Sequence, residues 1–123
     1  MYTALILDES SQNILRSHFI DHVEDGWLVK CHHMTINMGL PEHGPAAEFL
    51  GQEIELTVVS FAKDSKVMAV GIETVVPSNN LIKHITVAVN VDAGGKPKHS
   101  NELKEWQPLT NNLFLKGTVQ EIQ

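Results

Sequence analysis

Apolar and polar side chains alternate with a period of two along much of this chain, the signature of half-buried β-strands. Tyr2 to Leu7 is rich in apolar and β-favouring residues and is predicted as a first strand. Ser10 or Ser11 is placed to cap a helix running to about Phe19, with Ile14, Leu15, His18 and Phe19 on one side. Asp25-Gly26 marks a turn, after which Trp27 to Met38 is predicted as one long strand. Regular alternation puts Cys31, His33, Thr35 and Asn37 on one of its faces, and His32, Met34, Ile36 and Met38 on the other.

Gly39 to Gly51 is interrupted by Pro41, Gly44 and Pro45 and reads as a loop, with a helical turn at Ala46 to Leu50. Glu53 to Phe61 and Lys66 to Thr74 form a predicted hairpin around Lys63-Asp64-Ser65, and Pro77 to Asn80 is a second turn. Lys83 to Val91 is a further strand, with His84, Thr86, Ala88 and Asn90 opposite Ile85, Val87, Val89 and Val91. After the Gly94-Gly95-Lys96-Pro97 break come a short helix around Asn101 to Trp106 and a closing strand, Leu113 to Ile122. With many strands, one or two helices and no internal linker, the 123 residues are one domain, 1–123, of α+β class with antiparallel sheet.

The two polar faces carry the chemistry. His33-Met34-Thr35-Ile36 and His84-Ile85-Thr86-Val87 are both His-x-Thr triplets followed by an apolar residue. Seven histidines in the chain make one such triplet unsurprising. Two copies, about half the chain apart, each backed by an apolar face and each followed by asparagine (Asn37, Asn90), suggest a duplicated sheet unit. Their plainer reading is a solvated face of two amphipathic strands. Their chemical reading is one general base, one general acid and two hydroxyls for phosphate oxygens, since imidazole titrates near neutrality.

The paired triplets resemble the signature of the two-histidine phosphoesterase superfamily, which includes the cyclic phosphodiesterase domain of fungal and plant tRNA ligases and related RNA-repair proteins. Gly95-Lys96-Pro97-Lys98-His99-Ser100-Asn101 is also similar to a Pro/Ser-containing stretch of the tRNA-ligase branch. The resemblance implies two lobes with pseudo-twofold symmetry, each a small antiparallel sheet, forming a concave groove with the helices packed outside. It implies His33 and His84 as the catalytic pair and Thr35 and Thr86 as holders of the phosphate oxygens. The activity it implies is metal-independent hydrolysis of a 2′,3′-cyclic phosphate, on RNA ends or small cyclic nucleotides, to a 2′-phosphate. The chain is shorter than many members, which leaves the larger members' RNA-gripping loops without a counterpart.

Lys83, Lys96, Ser100, Asn37 and Asn90 are candidates for further substrate contacts, and Lys30 and Lys98 also lie near the triplets in sequence. Two alternatives remain open. One is cleavage of another phosphodiester, such as a 2′-5′ oligonucleotide or a cyclic dinucleotide; the other is a non-catalytic RNA- or nucleotide-binding module. The formal charge of −6 argues against broad, sequence-independent nucleic-acid binding, and DNA is not an expected partner. No apolar run approaches the length of a membrane span, so no membrane partner is expected either. The N-terminus lacks a signal-peptide pattern and Cys31 is the single cysteine, which together point to the cytoplasm. No cofactor or metal is expected, because His43 and His99 lie in loops without close ligand spacing. His32 is expected on the apolar side, Cys31 as an inert thiol on the His33 face, and Trp27, Trp106, Phe49 and Phe61 in packing.

Overall fold

In the computed structural model, which describes all 123 residues, alternation builds the first strand as expected. β1 (Tyr2–Leu7) turns Leu5 and Leu7 into the core. The Asp8 carboxylate then accepts the Ser11 N–H at 2.7 Å and caps α1 (Glu9–Phe19). The cap is therefore Asp8, not Ser10 or Ser11. Ser11 is used differently: its hydroxyl accepts the Lys116 N–H at 2.8 Å and ties the helix to the last strand. Leu15 and Phe19, a turn apart, join the core.

The remaining strands are β2 (Leu28–Val29), β3 (His33–Asn37), β4 (Glu53–Lys63), β5 (Val67–Glu73), β6 (His84–Val89) and β7 (Gln107–Ile122). All belong to one antiparallel sheet, in the order β2-β6-β3-β1-β7-β4-β5. β5 pairs again with β6, so the sheet closes on itself into a barrel-like ring. The class is α+β with antiparallel sheet. No helix is long and apolar enough to cross a membrane.

Met34, Ile36, Ile85 and Val87 share a single apolar cluster with Leu5, Leu56, Val70 and Leu115. Burying each such side chain stabilises the fold by about 1.5–3 kcal/mol. A smaller cluster of Ala62, Val67, Ala69, Val89 and Leu103 packs under Trp106. The tryptophans serve packing, as expected; Lys63 lies over the Trp27 ring, 5.2 Å from its centroid.

Three elements differ from expectation. β7 begins at Gln107 instead of Leu113, because Gln107 and Pro108 still pair with Phe61 and Ser60 beyond a register shift at which β7 carries the surplus residues. The segment expected as a helix at Asn101 to Trp106 is a 3₁₀ turn at Pro97–Glu102, started by the proline and ended by extended Leu103. The long strand Trp27 to Met38 is broken. Val29 pairs with Ala88 and Met34 with Ile85, so the segment between them carries two residues more than β6 does. The surplus is taken up in a bulge at which Cys31 adopts φ 50°, a left-handed conformation uncommon outside glycine.

Candidate functional site

The bulge decides which side chains reach the site. Cys31 turns into the core, fully buried, with Sγ 3.7 Å from the Val87 carbonyl; burial pushes its thiol up to about 11. It does not share the His33 face, and its raised pKa leaves it an inert thiol. His32 turns outward and lines the same cavity as His33, against the expectation that it faces the apolar side. Two consecutive residues point outward because the surplus residues break the period of two.

β3 and β6 bring the triplets together. Their middle residues, Met34 and Ile85, are direct partners across the ladder, and both are fully buried. Continuing that register by one residue sets His33 against Thr86 and Thr35 against His84. His33 and His84 are then diagonal to one another across the pair, near enough for the charge of His84 to act on His33. All four side chains line one cavity of about 830 Å³.

The surroundings of the two histidines differ. His84 is 7% exposed, and its Nδ1 lies 2.8 Å from the Ile82 carbonyl. A carbonyl only accepts, so Nδ1 carries the proton and Nε2 of the neutral ring keeps its lone pair. His33 has a neighbour at each ring nitrogen: the Tyr2 hydroxyl 3.4 Å from Nε2, and His32 Nδ1 3.0 Å from its own Nδ1. Burial, then the nearby charges of His32, His84 and Lys30, press the His33 pKa down to about 4. Burial also lowers that of His84, opposed by the bond to Ile82. Both shifts favour the uncharged imidazole at neutral pH.

The threonines are unequal too. The Thr86 hydroxyl is 2.8 Å from that of Ser100 and also reaches the Pro97 carbonyl at 3.4 Å. The Thr35 hydroxyl has no partner in the chain; its backbone carbonyl accepts from Ser78 Oγ at 2.9 Å.

The further candidates divide. Asn37 lines the cavity, yet its amide nitrogen is spent on the Leu40 carbonyl, and its side chain packs on Gly44. A Cβ at Gly44 would sit 2.1 Å from Asn37 Oδ1, so glycine permits this close approach. Ser100 is 1% exposed and meets the cavity only through Thr86. Like Ser100, the other three candidates lie outside the cavity lining. Lys83 donates to the Thr74 carbonyl at 2.9 Å, because one residue before His84 the strand points the other way. Asn90 lies beyond the end of β6 and bonds the Ser65 carbonyl at 3.0 Å. Lys96 is exposed, and its N–H donates to His99 Nδ1 at 3.0 Å in the turn.

In their place the fold supplies Tyr2 from β1, Lys30 from the bulge, Asn79 and Asn80 from the Pro77–Asn80 turn, and Lys98 and Asn101 from the 3₁₀ turn. The Asn turn is docked on β3 by the Asn79 N–H on the Ile36 carbonyl, 2.8 Å. Lys30 and Lys98 were legible as sequence neighbours of the triplets; Tyr2 and His32 carried no signal short of the register. The cavity lining contains no Asp or Glu, although the chain has 15 of them against 9 Lys and Arg. Such a lining favours an anion. No family model matches this sequence, and no curated protein matches it.

Proposed function

We propose that the chain is a metal-independent 2′,3′-cyclic phosphodiesterase of the two-histidine type, acting on RNA ends or nucleotides and leaving a 2′-phosphate. One observation carries the reading: both His-x-Thr triplets line a single cavity that has lysines and no carboxylate. In this reading the ring is two lobes, one on β1 and β3, the other on β5 and β6, related by a pseudo-twofold axis through the Met34–Ile85 pair. The cavity is then the concave groove between them.

His84, with its Nε2 lone pair free, takes a proton from the water that attacks phosphorus. As the new P–O bond forms, the bond from phosphorus to the ribose oxygen breaks, and His33 gives that oxygen its proton. The Thr35 and Thr86 hydroxyls hold the non-bridging oxygens. His33 must be protonated to act, and it is uncharged at neutrality in the resting site. His33 therefore takes up a proton from solvent as the anionic substrate binds, because that charge raises the His33 pKa.

The test is incubation with 2′,3′-cyclic AMP and with a cyclic-phosphate-ended oligonucleotide, following ring opening by chromatography. Turnover that persists in chelator and is lost in His33→Ala and His84→Ala supports the reading. Tight binding of both ligands with no ring opening would instead make the chain a non-catalytic nucleotide-binding module. Opening only of 2′-5′-linked or cyclic dinucleotides would move the substrate class.

A further inference from the structure

The cavity has two chemically different ends. β3 and β6 run in opposite directions, so His33 and Thr86 mark one end of the paired triplets and Thr35 and His84 the other. Lys30 belongs to the first end, since its N–H bonds the Val87 carbonyl at 2.7 Å. Lys98 belongs there as well, because its 3₁₀ turn is held on Thr86 through Ser100 and Pro97. Asn79 and Asn80 belong to the second end, where the Asn79 N–H and the Ser78 hydroxyl dock on the Ile36 and Thr35 carbonyls.

A nucleoside 2′,3′-cyclic phosphate is polar in the same sense. Its base leaves the ribose next to the 2′ oxygen, and its 5′ carbon leaves next to the 3′ oxygen. Amides offer the paired donor and acceptor that base edges require, whereas ammonium groups suit a phosphate. Resting on the activity proposed above, we infer that the site takes an RNA end longer than one nucleotide. The terminal base lies toward Asn79 and Asn80, and the phosphodiester leading to the preceding nucleotide lies between Lys30 and Lys98.

This orientation sets the 3′ oxygen nearest His33, the histidine that protonates the leaving group when a 2′-phosphate is formed. The two lysines have no other employment: the ion pairs of the chain are Lys63–Glu24 and Lys116–Glu53. A mononucleoside cyclic phosphate carries no second phosphate for them to meet.

The experiment compares kcat/KM for 2′,3′-cyclic AMP with that for the dinucleotide ApA ending in a 2′,3′-cyclic phosphate, in the natural chain and in the Lys30→Ala/Lys98→Ala double variant. The natural chain is expected to prefer the dinucleotide by about tenfold or more at low salt, with the preference shrinking as salt rises. In the double variant the ratio of the two values should approach one. Because Lys30 also acts on His33, the ratio is the readout; that influence falls on both substrates and cancels. Equal values in the natural chain, or an unchanged ratio in the double variant, would overturn the inference. If neither substrate is opened, the underlying activity fails instead. Binding of 2′-AMP against ApA 2′-phosphate then decides: a lysine-dependent preference for the longer ligand supports the subsite, and equal affinity overturns it.

Discussion

The two triplets are alike in sequence and unlike in surroundings. On β6, His84 is held by one backbone carbonyl that settles its tautomer, and Thr86 is committed to Ser100 and Pro97. On β3, His33 sits between Tyr2 and a second histidine, with its pKa near 4, while the Thr35 hydroxyl is unengaged. The β6 copy is preset. The β3 copy is left to be completed by a ligand, so an anion placed between the strands meets a fixed lone pair on one side and an adjustable proton on the other. In the proposed reaction the repeated motif would take two roles without changing its residues.

The largest test of this contrast removes each histidine. His84→Ala and His33→Ala should each lower kcat/KM for a 2′,3′-cyclic phosphate by about 10²–10⁴-fold, the range for loss of one proton-transfer group. Circular dichroism should show both variants folded, because these side chains line the cavity and not the apolar core. Next come the threonines. Thr35→Val deletes a free donor and should cost on the order of 10²-fold in kcat. Thr86→Val should cost less in rate but about 1 kcal/mol in stability, since it strands the buried Ser100 hydroxyl. Equal effects on rate and melting temperature would erase the distinction between the copies.

The pH dependence follows from the lowered pKa values. In the proposed mechanism the productive free form has His84 neutral and His33 protonated, and above about 4 the protonated fraction of His33 falls tenfold per pH unit. The kcat/KM profile should therefore peak on the acid side of 6.5 and decline through neutrality, where a plateau from pH 7 to 8 would refute the assignment. The same shift acts on folding. Below about 6.5 the unfolded chain takes up a proton that folded His33 refuses until about 4, so stability should fall as pH drops through that window. The smallest effects are expected at Lys83→Ala and Asn90→Ala, whose side chains are spent on the Thr74 and Ser65 carbonyls; both should stay within about twofold of the natural rate, the ordinary outcome for substitutions remote from a site.

Much of this was legible from a period of two. It gave β1, the β4–β5 hairpin and β6, and it set both triplets opposite their buried neighbours, Met34 and Ile85. It also contained the answer for Lys83, which one residue before His84 must point away. The bulge was not legible. Whether Cys31 or His32 faces the site depends on where β6 pairs with the segment, a tertiary fact that no local pattern encodes. The same holds for Tyr2, which reaches His33 only because β1 lies beside β3, and for the Asn turn that docks on it. Ser100 was found by nearness to the second triplet, but its burial under Thr86 changes it from a ligand contact into a support.

The most direct measurement of the central claim is the titration of the histidine ring nitrogens by NMR, with and without 2′-AMP as the product of the proposed reaction. The account predicts His33 titrating near 4 in the free chain, rising by a unit or more when the anion binds, with His84 perturbed alongside it. If His33 titrates near its ordinary value and 2′-AMP leaves both site histidines unchanged, the two triplets do not form one phosphate site.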